Sequence, residues 1–68
     1  MKNAWIQQIF DSRQAQSGGL VRRAISSVIT YASLSELEDE VRLRGFHMFI
    51  VGAQVLILCN TGSLNVIC

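Results

Sequence analysis

Residues 20–32 read Leu20-Val21-Arg22-Arg23-Ala24-Ile25-Ser26-Ser27-Val28-Ile29-Thr30-Tyr31-Ala32, and two local rules disagree about them. Val21, Ile25, Val28, Ile29, Thr30 and Tyr31 are β-branched or aromatic and favour a strand. Periodicity points the other way. At about 100° per residue, Leu20, Val21, Ala24, Ile25, Val28, Ile29, Tyr31 and Ala32 fill one half of a helical wheel. Arg22, Arg23, Ser26, Ser27 and Thr30 fill the other half without mixing. As a strand, the same residues give mixed faces such as Val21, Arg23, Ile25, Ser27 and Ile29. Period over a window this long outranks a weak propensity, so the stretch is expected to be helical.

Upstream, residues 3–16 read as a first helix. Trp5, Ile6, Ile9 and Phe10 recur at helical spacing. Ser17-Gly18-Gly19 ends it, because paired glycines are strong punctuation. Downstream, residues 34–44 carry the strongest helix signals. Ser33-Leu34-Ser35-Glu36 matches a capping box. Leu34, Leu37 and Val41 form a buried stripe, acids fill the first turns, and Arg42 and Arg44 fill the last. Glu38 with Arg42 and Glu40 with Arg44 are i,i+4 pairs in the favourable order. Gly45 is a natural terminator.

The remainder reads as sheet. Residues 46–51 and 54–59 are dense in large apolar side chains with Gly52-Ala53 between them, and residues 63–68 follow a second turn signal, Asn60-Thr61-Gly62. The expected fold is α+β: three helices followed by a three-stranded antiparallel β-meander (ααα-βββ) in two layers. It occupies residues 1–68 as a single small domain, since 68 residues leave no room for a second.

That meander has two apolar faces. With Gly52-Ala53 and Thr61-Gly62 as hairpin loops, Met48 pairs with Ile57 and Ile57 with Val66. Phe46, Met48, Ile50, Val55, Ile57, Cys59, Leu64, Val66 and Cys68 then meet the helices. His47, Phe49, Val51, Gln54, Leu56, Leu58, Asn65 and Ile67 face away, with an apolar centre at Phe49, Val51, Leu56 and Leu58. A domain this short buries only about 60% of the surface its unfolded chain exposes. The expectation is therefore that a partner covers this second face at His47, Phe49, Val51, Leu56, Leu58 and Ile67, most simply a second copy in a homodimer.

Composition narrows the function classes. Half the residues are hydrophobic, and the mean hydropathy of +0.34 is too high for disorder. The longest apolar stretch, residues 46–59, is shorter than the roughly 20 residues of a spanning helix and is interrupted by His47, Gly52 and Gln54. The first residues contain no continuous apolar core of a secretory signal, so a cytoplasmic location with no membrane association is expected. Net charge is only +1 but unevenly spread. Lys2, Arg13, Arg22 and Arg23 oppose Asp11 in the first third, and Glu36, Glu38, Asp39 and Glu40 cluster later.

Catalytic and metal chemistry find little support in the residue pattern. His47 is the only histidine, and Cys59 and Cys68 are the only cysteines, with no short-spaced ligand pair of the kind zinc prefers. No serine has the expected base and orienting group nearby in pattern. In the meander the two cysteines would lie roughly 13 Å apart, too far for a disulfide. Gly18-Gly19 lacks the following Lys-Ser/Thr of a phosphate loop. No enzyme activity, cofactor or small-molecule substrate is expected. Three binding surfaces remain. The uncovered sheet face is the first, and the acidic run Glu36, Asp39 and Glu40 is a second, suited to a basic partner. The third is a cationic set, Arg13, Arg22 and Arg23, suited to nucleic acid. Helices followed by a hairpin resemble the winged helix-turn-helix order, but the helix that would enter the groove carries four acids, which phosphates repel.

Val21-Arg22-Arg23, Tyr31-Ala32-Ser33, Arg44-Gly45-Phe46-His47 and Leu58-Cys59-Asn60 together resemble short accessory reading frames carried on proteobacterial phages and integrative elements. The resemblance spans most of the chain and transfers no functional residue. It implies a setting: compact accessory proteins of mobile elements commonly bind host proteins, including defence complexes. The expectation is a small protein-binding regulator or inhibitor, with a nucleic-acid-binding transcriptional regulator as the alternative.

Overall fold

The computed structural model describes residues 3–68; Lys2, counted above among the cations, lies outside them. The elements are α1 (Ala4–Asp11), α2 (Arg13–Gln16), β1 (Leu20–Ala24), α3 (Ile25–Tyr31), α4 (Leu34–Arg44), β2 (His47–Val51) and β3 (Gln54–Leu58). They form an α+β domain with one antiparallel three-stranded sheet in the order β1-β3-β2. The expected ααα-βββ order is corrected at two places: a strand lies between the second and third helices, and the closing segment is not a strand.

The first correction falls within residues 20–32. Leu20–Ala24 is a strand and only Ile25–Tyr31 is helical. The clean wheel partition was assembled from two different elements, each too short for its own period to be read. Tertiary pairing decides the matter. Val21 lies opposite Ile57 and is buried, while Arg22 lies opposite Leu56 and points out. In a helix, Leu20–Ala24 would leave the far edge of β3 without hydrogen-bond partners. The strand propensity of Val21 therefore prevails because the neighbouring strand supplies its ladder.

The second correction follows from the first. β3 has two edges, and β1 takes one while β2 takes the other. Residues 63–68 have no place beside Ile57, whose partners are Val21 and Met48 rather than Val66. They run irregular and exposed, so Ile67, expected on the second sheet face, is not part of the sheet. The Met48–Ile57 register and the two-residue loop Gly52-Ala53 are present as expected. Gly52 has φ 59 at the first loop position, as a type II′ turn requires.

A third difference is small. The helix expected over residues 3–16 is broken at Ser12, which is extended at ψ 157. Its hydroxyl donates to the Ile9 carbonyl at 2.7 Å and accepts from the Ala15 N–H, ending α1 and starting α2 with one side chain. Asn3 starts α1 by accepting from the N–H groups of Trp5 and Ile6, and its amide donates to the Tyr31 carbonyl at 2.8 Å. Trp5 stacks on Tyr31 with centroids 5.6 Å apart, which fastens α1 to the end of α3.

Helix α4 follows its sequence signals closely. The Ser33 hydroxyl accepts from the Glu36 N–H at 3.1 Å. At the other end, Gly45 has φ 73 and its N–H donates to the Arg42 carbonyl, while Phe46 N–H donates to Val41. This is a Schellman closure, and it requires the left-handed residue that glycine supplies. The core contains Ile6, Ile9 and Phe10 from α1, Ala15 from α2, Val28 from α3, Leu37 and Val41 from α4, and Val21, Val55, Ile57 and Cys59 from the sheet and its exit. Leu37→Ala is expected to cost about 2–5 kcal/mol in urea unfolding, because the side chain is fully enclosed. On the same helix, Leu43→Ala is expected to stay within about 0.5 kcal/mol, since Leu43 is 75% exposed.

Candidate functional site

Side chains alternate across a strand, so the registers assign every sheet residue to a face. The rows Leu20–Leu58–His47, Arg22–Leu56–Phe49 and Ala24–Gln54–Val51 share one parity. The rows Val21–Ile57–Met48 and Arg23–Val55–Ile50 share the other. All sheet residues in the core belong to the second set, so the helices pack on that face. Phe49, Leu56 and Leu58 are half-buried yet do not pack against the core cluster, and Leu20 and Val51 are exposed. The outer face is thus apolar at its centre and carries no helix.

The structure brings together five of the six residues expected there: His47, Phe49, Val51, Leu56 and Leu58. It adds Leu20, Arg22 and Ala24, which the sequence reading assigned to a helix. The signal that would have found them was the strand propensity of Val21 directly after a glycine pair. Arg22 is the one cation in this surface, and no Asp or Glu occupies any outer-face position.

Of the expected cationic set, Arg22 and Arg23 line one hollow with Gln14, Leu20 and Val21, and Arg13 is not among its lining residues. Arg22 and Arg23 are consecutive strand residues on opposite faces, and Arg13 begins α2. The Arg23 guanidinium donates to the Arg22 carbonyl at 2.8 Å. The acidic set does assemble. Glu36, Asp39 and Glu40 line one shallow hollow between α4 and the start of α1, with Asn3, Ile6, Gln7 and Leu43. Glu40 is committed to Arg44 at 2.8 Å, and Arg44 in turn lies over the Phe10 ring at 4.3 Å. Glu38 holds Arg42 at 2.6 Å on the exposed side. The exposed Glu38–Arg42 pair contributes only about 0.3–0.5 kcal/mol.

His47 Nε2 lies 2.6 Å from the Gly62 carbonyl, so that nitrogen carries the proton and donates. The imidazole ties the closing segment to the start of β2. Cys59 follows β3 on the core side, Cys68 is exposed, and both are free thiols. Among the described residues, no group of three or more His, Cys, Asp or Glu comes together as a metal site would require. Nor is any described helix long and apolar enough to cross a membrane. No protein-family pattern, curated protein or solved structure matches the chain.

Burial pushes the Cys59 thiol up, and the nearby Arg44 charge offsets only part of that. A raised folded-state value means the native chain holds this proton more tightly than the unfolded chain. The associated stability is complete below the ordinary thiol range and is lost as pH rises through and above it. Urea unfolding is expected to show this alkaline decline, and Cys59→Ala is expected to flatten it. A thiol reagent at neutral pH should modify Cys68 quickly and Cys59 only after denaturation.

Proposed function

We propose that this chain is a small protein-binding regulator, without catalytic activity, whose contact surface is the outer face of its sheet. The observation that carries the reading is the helix-free apolar set Leu20, Phe49, Val51, Leu56 and Leu58. Contiguous apolar surface of this kind usually marks an interaction site. Arg22 within it, with no acid on the same face, adds a preference. Two copies stacked face to face would bring two Arg22 side chains together and supply no carboxylate. A partner protein offering an apolar surface with one acidic side chain satisfies both features. The resemblance to mobile-element accessory proteins supports a host protein, such as a component of a defence complex, as that partner. Free thiols accord with action in the reducing cytoplasm.

Immobilised wild-type chain is expected to retain a protein from host lysate that Leu56→Glu does not retain. Leu43→Glu, a charge added to an exposed site on the other layer, should retain it as well as wild type. Equal retention by Leu56→Glu, with an unchanged thermal midpoint, would reject the outer face as the contact.

A second reading draws on the element order. Helix α3, the turn Ala32-Ser33, helix α4 and the β2–β3 hairpin follow one another as in winged helix-turn-helix domains. In that reading α4 would enter the major groove. It would bring Glu36, Glu38, Asp39 and Glu40 against phosphates, and the wing would be the uncharged Gly52-Ala53. The order thus fits a nucleic-acid binder better than the charges do, and α4 instead suits a basic protein surface. A low-salt gel shift is expected to show no complex at tens of micromolar protein, within the range of ordinary nonspecific affinity of about 10⁻⁴–10⁻⁶ M.

A further inference from the structure

We propose that the outer edge of β2 is a docking groove for residues 63–68 of a second copy of this chain, which adds there as a fourth strand. The backbone register shows that this edge is open. Cys59 N–H donates to the Gly19 carbonyl and Ile25 N–H to the Ala53 carbonyl, one at each end of the β1–β3 pairing. With the antiparallel register, Val55 and Ile57 therefore point their backbone groups toward β1, and Gln54, Leu56 and Leu58 point theirs toward β2. Their partners are Val51, Phe49 and His47, which leaves the N–H and C=O groups of Met48 and Ile50 facing outward.

The two sheet edges are not alike. On β1 the outward groups belong to Leu20, Arg22 and Ala24, and the Arg23 guanidinium already occupies the Arg22 carbonyl. A cation seated on an edge is a common guard against strand addition. At the β2 edge no side chain among the described residues is bonded to Met48 or Ile50. A groove runs along it between α4 and the closing segment, lined by Val41, Phe46, Met48, Ile50 and Leu64 together with the Glu38–Arg42 pair. Ile50 has core-face parity yet is 54% exposed, because no element continues the inner layer past β2.

The closing segment has the complementary deficiency. Leu64, Val66 and Cys68 alternate with Ser63 and Asn65, as a strand requires, yet the segment has no ladder. Val66 is 79% and Ile67 88% exposed. Its own groove does not hold it. The segment passes Gly45 and is fastened at Gly62 to His47, reaches the groove with Leu64, and then leaves. Entering from its own chain it runs in the same sense as β2, and parallel pairing is the weaker geometry. From a second copy it enters antiparallel, and each copy both gives and receives a strand around a two-fold axis. The groove also takes in His47 and Phe49 from the outer-face rows, whereas Leu56, one strand further in on β3, does not line it, so a charge at Leu56 tests the protein-binding reading and a charge at Val66 tests this one.

Sedimentation of the full chain from micromolar to millimolar is expected to show a monomer–dimer equilibrium. Val66→Asp should weaken it roughly tenfold or more by placing a charge in an apolar contact. The thermal midpoint of dilute protein should not move, since Val66 is largely exposed in the single chain. Leu56→Glu, on the outer face, should leave the equilibrium as in wild type. A second readout assigns the donor. Unlabelled chain carrying a nitroxide on Cys68 is mixed with isotope-labelled Cys68→Ser chain, and the Met48–Ile50 amides of the latter should broaden. A monomeric mass at every concentration, unchanged association of Val66→Asp, or no broadening in the mixed sample would each overturn the proposal.

Discussion

Strand β3 is the one element whose two edges are both used, and the rest of the molecule is arranged around that condition. Val55 and Ile57 are completely enclosed because β1 and β2 flank them and the helices cover one side. The ladders on either side satisfy β3's backbone, so an apolar strand can lie at the middle of a very small domain without orphaned polar groups. The long connection from β1 to β2, through α3 and α4, exists to bring the two flanking strands to opposite edges of β3. Residues 20–24 are a strand because β3 requires a neighbour there, and residues 63–68 are irregular because β3 has no edge left.

This explains what was legible locally. Helix α4 was readable in full because its signals are confined to itself: Ser33 at one end, Gly45 at the other, and charges matched to the macrodipole between them. The β2–β3 hairpin was readable because a glycine-led two-residue loop sets its register. Ser12 was missed because one hydroxyl serves two helix ends, which looks from sequence like ordinary helical surface. Residues 20–32 misled because a periodicity test assumes one element per window. The outer-face site was partly legible for the same reasons: its β2 and β3 residues were found, and Leu20, Arg22 and Ala24 were not.

Charge is organised by layer. The acids on α4 are either paired within the helix or collected at the hollow beside α1. The strand layer carries Arg22, Arg23 and His47 and no acid among its strands. A net charge near zero therefore conceals a surplus of acids on the helices and of arginines on the strands, with Arg22 the one arginine on the sheet's outer face. Such separation orients encounters more than it strengthens them, and it is screened over roughly 10 Å at moderate salt.

The guanidinium of Arg23 seated on the Arg22 carbonyl bears on how far any assembly of this protein extends. A sheet with two bare sides can recruit copies without limit, as fibrils do. The β1 side of this sheet is guarded at one carbonyl by its own side chain, whereas the β2 side is bare at Met48 and Ile50. If copies add at the β2 side as proposed, a pair of molecules uses that side up on both, and only the guarded β1 side is left facing outward.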